Sequence, residues 1–396
     1  MAVSEETPSK STKKTGAKKT TIKKAPSRKI PAKGPPASKA APAANPAAPP
    51  SAASAPPTSR KKAGGRIPST RHFPVQMFAS VLGLAGLGLA WREAAGTFGF
   101  TLALSDLFLG FAAGFYIAVL ALYGLKAYRH PDATVDDFND PIRGCYFSAA
   151  GMGLLLLSSA AAPHSMGLAE ALWIIGAPVN LAITIAIVHG WMSREFHMHH
   201  ATPIWFLPIA GNLLAAIAAP QVGYGEAGWM IFAVGLVFWF ILQVIIFYRL
   251  LFHEPMEQPL RPTIVIMLAP PSLAAVAYQV LTGGALFGAA GGFATMLYGL
   301  ALFIGALLIL QIPMLMRLPF GLSSWSYTFP LSAFTVTATL YADRHPHWLA
   351  DVIAIAGLAA STLITFYIFA KTAKMLIAGN LFREAPTPII AAEAED

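Results

Sequence analysis

About ten apolar stretches, each roughly 17 to 28 residues long and most nearly free of charge, follow one another between His72 and Asn380. A helix needs about 20 apolar residues to cross the hydrocarbon core of a bilayer. Each backbone N–H and C=O inside that core must be satisfied within the protein. Together these leave one class of fold, an all-α polytopic membrane protein. Hydrophobic residues make up 55% of the chain and charged residues 12%, with a mean hydropathy of +0.56, which is far from the balance of a soluble domain. No soluble segment is large enough to hold an enzyme, so the pattern points to passage of something across a membrane and away from catalysis.

The formal net charge of +9 would suit a nucleic-acid binder, but 16 of the 28 Lys and Arg fall within residues 1–72. There a run such as Lys18-Lys19-Thr20-Thr21-Ile22-Lys23-Lys24 leads into Pro/Ala repeats that cannot bury a core. Residues 1–72 are therefore expected to be a disordered cytoplasmic tail whose partner is the anionic lipid headgroup, with nucleic acid the weaker reading. No cleaved export signal is read, because the first apolar run after the charges is long enough to be a span. Residues 73–380 form the membrane domain, and 381–396 a short second tail. The one cysteine, Cys145, excludes an intramolecular disulfide and any multi-cysteine metal site.

Apolar runs between turn signals place spans near 73–92, 103–127, 144–162, 167–190, 204–220, 227–251, 263–282, 288–312, 322–342 and 348–376. Lys126, Arg129, Arg143, Arg194, Arg249, Arg261 and Arg317 sit at even-to-odd junctions, while Arg92 and Arg344 are almost alone at the others. By the positive-inside rule both termini are cytoplasmic, which requires an even number of spans. The expected location is a multi-pass membrane one, with a bacterial inner membrane as the expected compartment.

Odd-numbered spans carry small residues, hydroxyls and prolines: Gly83, Gly86 and Gly88; Gly151 and Gly153; Pro208, Gly211 and Asn212; Pro270, Pro271 and Ser272; Ser326, Pro330 and Ser332. Even-numbered spans are greasier, as in Phe238-Trp239-Phe240-Ile241-Leu242. The simplest architecture is five helical hairpins, odd helices inside around an axis and even helices against lipid. Small residues and prolines also serve plain close packing in membrane helices, and that reading stays open. The candidate pore-lining or kink residues are Gly83, Gly151, Pro208, Asn212, Pro270, Ser272, Ser326 and Pro330.

The expected odd spans hold no ionisable residue. Asp106, Glu170 and Asp351 lie near the ends of even spans, and His189 near the end of the fourth. Without a central Asp, Glu, His or Lys there is no proton relay to read, which argues against a proton-coupled pump. Hydroxyls, amides and backbone dipoles favour a partly dehydrated anion without trapping it, so modest selectivity among small anions is expected. No phosphate-cradling loop ending in Gly-Lys-Ser/Thr is present. His197-Met198-His199-His200 could share a transition metal, but the plainer reading is an interfacial loop, and no metal or cofactor is assigned.

Several blocks resemble the tellurite-resistance/dicarboxylate transporter family, whose plant branch is the slow-type anion channels of guard cells. They are Phe73-Pro74-Val75-Gln76 with Leu82-Gly83-Leu84 and Leu89-Ala90-Trp91; Ala201 to Asn212; Glu254-Pro255 with Pro259 to Thr263; and Leu268-Ala269-Pro270-Pro271. The most specific is Ser324-Trp325-Ser326-Tyr327-Thr328-Phe329-Pro330, and the likeness runs from about Phe73 to about Lys374.

The resemblance implies ten helices as five hairpins around a quasi-five-fold axis, a pore lined by the odd helices, and a homotrimer with one pore per protomer. It also implies that Phe329, the aromatic before the ninth-span proline, plugs the pore. The implied function is a gated passive channel for small monovalent anions such as chloride and nitrate. Rival readings are a secondary transporter of tellurite, sulfite or dicarboxylates, and a membrane scaffold acting through its basic tail. The chain departs from the family at Ala79, where a glycine is usual, and at Ala149-Ala150-Gly151, where many relatives have a proline. Regulation by phosphorylation, a property of the plant branch, is not carried over to the basic tail.

Overall fold

The computed structural model describes residues 69–283, 292–379 and 381; the expected tails therefore lie almost wholly outside the described residues, as does the start of the stretch at 288–312. Every described regular element is helical. The helices are α1 (Met77–Phe98), α2 (Leu102–Arg129), α3 (Pro131–Asn139), α4 (Ser148–Ala161), α5 (Met166–Ser193), α6 (Phe206–Ala218), α7 (Gly225–Phe252), α8 (Ala269–Leu281), α9 (Gly292–Leu315), α10 (Thr328–Arg344) and α11 (Trp348–Ile377). Among the described residues eight helical segments, read with their leading turns, are long and apolar enough to cross a membrane. Helices α1 and α10 fall outside that set. Arg92, Glu93 and four glycines dilute the first, and five Ser and Thr residues dilute the second.

Consecutive helices pack together: α1 on α2, α4 on α5, α6 on α7, α8 on α9 and α10 on α11. A second set of contacts runs between alternate helices, from α1 to α4, α4 to α6, α6 to α8, α8 to α10, and back from α10 to α1. That cycle closes. Burial divides the helices the same way, with 89% of the span containing α6 buried and only 28% of α7. In α1 every residue from Met77 to Gly88 is buried. The small residues of the first class thus sit where helices touch on several sides, and the greasy class presents one face outward.

Two features differ from the sequence reading. A short helix, α3, fills the connection after α2, starting with Pro131 at the position where a missing N–H has no helical partner to lose. It is tied down by the buried Asp137, which takes hydrogen bonds from Lys126, Tyr123 and Arg143. Helix α1 also continues past the expected end at 92, so Arg92 and Glu93 lie inside it. Arg92 Nη1 donates to the carbonyls of Ser159 (3.3 Å) and Ala160 (2.9 Å), and so caps the C-terminal end of α4 where the helix dipole favours a cation.

Candidate functional site

Each helix of the closed cycle is entered through a tighter turn. 3₁₀ segments of one to nearly three turns at Gly144–Phe147, Pro203–Trp205, Arg261–Leu268 and Leu322–Tyr327 lead into α4, α6, α8 and α10. Before α1, the amides of Met77, Phe78 and Ala79 bond to the carbonyls three residues back. Pro208, Pro271 and Pro330 each occupy the third position of the α-helix that follows, and Pro270 the second of α8. A proline in the first helical turn forfeits little, because those N–H groups have no intrahelical acceptor. The turn into α4 forms with Ala150 at the third position. The 3₁₀ turn into that helix therefore forms without a proline behind it.

Hydroxyls satisfy the carbonyls at these junctions. Thr328 Oγ1 donates to Trp325 O (2.8 Å), Ser272 Oγ to Leu268 O (2.8 Å) and Thr263 Oγ1 to Leu260 O (2.6 Å), with Ser80 and Ser148 doing the same at α1 and α4. Thr337 Oγ1 donates to Ser272 O (3.0 Å) and links α10 to α8. Ser326 and Tyr146 are buried in the turns leading into α10 and α4.

Phe329 is the second residue of α10 and is 7% exposed. Its neighbour in sequence, Thr328, lies against Gly83 of α1 so closely that a Cβ at Gly83 would stand 2.1 Å from Thr328 Oγ1. One helical turn on, a Cβ at Gly86 would stand 3.2 Å from Phe329 Cδ2. The turn before α10 is held from outside as well, since Trp325 Nε1 donates to Thr372 Oγ1 of α11 (3.0 Å).

Asn212 and Gly151 both face α5. Asn212 Nδ2 donates to Thr184 Oγ1 and to Pro208 O, each at 3.0 Å, and Thr184 Oγ1 donates to Pro208 O at 2.9 Å. A Cβ at Gly151 would stand 3.0 Å from that of Asn180, and one at Gly211 would meet the Asn180 amide. Asn180 and Thr184 are fully or almost fully buried polar residues in an outer-class helix that the sequence reading passed over. Their i, i+4 spacing within an apolar run was the available signal, because it puts both on one helix face.

At the loop between α5 and α6 the His197, His199 and His200 rings lie 4.0 to 6.0 Å apart. Burial, then the neighbouring imidazoles, push His200 below the ordinary histidine range. Among the described residues no group of three His, Cys, Asp or Glu is arranged to hold a metal ion.

A sequence profile described as "Voltage-dependent anion channel" matches residues 72–373, which takes in every helix of the closed cycle and nearly all of the outer ones. The chain belongs to that family. It is similar to the guard cell S-type anion channel SLAC1 of Arabidopsis thaliana, 25% identical over 77% of this chain and 56% of that protein. The S-type anion channel SLAH3 of the same plant is 24% identical over 77% of this chain and 48% of its own length. The chain thus spans about half the length of the plant relatives it matches. A tellurite resistance protein TehA homolog of Haemophilus influenzae is 23% identical over 79% of this chain and 94% of that protein.

Proposed function

We propose that this family member is a gated, passive pore for small monovalent anions such as chloride and nitrate. In this reading ten helices cross the membrane as five hairpins around a quasi-five-fold axis, and α1, α4, α6, α8 and α10 surround the pore. The observation that carries it is the closed cycle of those five helices, each entered through a turn of 3₁₀ hydrogen bonding. In this reading N–H and O–H donors along the axis replace part of an anion's hydration shell and hold it weakly, which conduction requires. The Phe329 ring, beside the α10 entry turn, is the plug. It moves by side-chain rotation, which costs about 1 kcal/mol per off-rotamer step and so suits a gate.

Both termini are proposed to be cytoplasmic and the assembly a homotrimer, with residues 1–72 as a polybasic arm on anionic lipid. A second reading is a secondary transporter of tellurite, sulfite or dicarboxylates, whose tellurite arm is supported by the match to nearly the whole length of the tellurite resistance homolog. The two separate in one experiment: anion current in a planar bilayer, unmodified chain against Phe329→Ala, under asymmetric chloride and then nitrate. A large gain of voltage-dependent current in the variant supports the plugged channel. Two folded but equally silent proteins, with saturable pH-dependent flux of an oxyanion or dicarboxylate in vesicles, support the transporter.

A further inference from the structure

We infer that Gly86 is the seat that holds the Phe329 ring in its occluding position, an inference that rests on the channel reading above. Gly83 and Gly86 are three residues apart and therefore share one face of α1, the face turned to α10. They meet different things. At Gly83 an added Cβ would strike Thr328 Oγ1 at 2.1 Å and Thr328 Cβ at 2.7 Å, so this position sets how closely the two helices approach. At Gly86 it would stand 3.2 Å from Phe329 Cδ2 and 3.1 Å from Ser332 Cβ. Carbon atoms in ordinary contact are about 3.5 to 4.0 Å apart, so a side chain at Gly86 would crowd the ring by a few tenths of an ångström.

The two contacts at Gly86 differ in what can yield. Ser332 Cβ is fixed to the α10 backbone, and its Oγ is held by Thr328 O at 3.1 Å. The Phe329 ring is carried on two rotatable bonds. A methyl group at Gly86 therefore presses on the ring, which can turn aside, and on Ser332, which yields only if α10 shifts by a few tenths of an ångström. Gly88, two residues on, points elsewhere: its Cβ would meet Leu109 Cγ of α2 at 2.6 Å. Substitution there disturbs α1 packing without reaching the ring.

The test is bilayer current for Gly86→Ala, Gly88→Ala, Phe329→Ala and the Gly86→Ala/Phe329→Ala double variant, each checked for a sharp thermal transition in detergent. Displacement of the ring to an off-rotamer position predicts a roughly two- to tenfold rise in anion current for Gly86→Ala. Gly88→Ala is expected to stay at the unmodified level, and the double variant to match Phe329→Ala. A gain that persists in the Phe329→Ala background assigns the effect to Ser332 and helix separation, and overturns the seat. A conducting Phe329→Ala beside a silent, folded Gly86→Ala overturns the seat and leaves the gate standing. If Phe329→Ala itself is silent, the channel reading falls first.

Discussion

The Lys126 ammonium and the Asp137 carboxylate form a buried ion pair, 4% and 6% exposed, at the end of the molecule where the chain enters α1. Lys126 Nζ also donates to Phe73 O at 2.9 Å, and Asp137 Oδ1 accepts from Arg143 Nη1 at 2.9 Å. One carboxylate thus joins α2, α3 and the turn into α4, and the lysine adds the segment ahead of α1. Removing one partner of a buried pair strands the other charge.

Lys126→Met is accordingly expected to lower stability by about 3 kcal/mol. Lys126→Met/Asp137→Leu should recover part of that loss, because no carboxylate is then left unpaired by the lysine. Thermal unfolding of the four members of the cycle in detergent measures the coupling; purely additive losses would refute the dependence of one charge on the other.

Glycines on two helices should respond in opposite ways. Gly83→Ala forces a Cβ against Thr328 and is expected to cost about 1 to 3 kcal/mol through overpacking. Gly114→Ala in α2 meets nothing within 4 Å, so it should be neutral or slightly stabilising. The difference in melting temperature between the two variants reads this directly, and similar values would contradict the α1–α10 contact.

Trp325→Phe removes the indole donor that Thr372 Oγ1 accepts, while Thr372 keeps its own donation to Ile368 O at 2.9 Å. The loss should be about 1 kcal/mol beyond packing, as for one buried hydrogen bond. A double-mutant cycle with Thr372→Val isolates it. Coupling near zero would mean that α11 does not anchor the turn before α10.

His200 sets a pH dependence of stability. Burial and the His199 and His197 charges lower its pKa, against the opposing pull of Asp140. The unfolded imidazole takes up a proton at its ordinary value near 6.5 while the folded one resists. Stability is therefore present above about pH 6.5 and lost as the pH falls below it. His200→Gln should flatten the fall in melting temperature between about pH 7.5 and pH 5.5 relative to the unmodified chain. An unchanged slope would assign that fall to other groups.

Much of the architecture is legible from composition along the chain. Long apolar runs dictate membrane helices, and the split between Gly83, Pro208 or Pro330 on one side and the Phe238 to Leu242 run on the other marks which helices touch many neighbours. Phe329 drew notice only through the motif around it, since a buried phenylalanine in an apolar helix carries no signal of its own. Asn180 and Thr184 were passed over because their helix reads as lipid-facing.

What the sequence by itself determined is the number and length of the apolar runs, the class of each, and the polar residues at the start of the inner ones. These follow from local chemistry: hydrocarbon thickness, missing proline donors, and the need to satisfy each backbone group. What only the tertiary structure decided is which residues meet. Lipid and protein interior are both apolar, so hydrophobic periodicity does not say which face of a membrane helix turns inward. That Gly86 lies under Phe329, that Thr184 reaches Pro208 O, and that α10 closes back on α1 depend on contacts between residues up to about 250 positions apart, which no local pattern encodes.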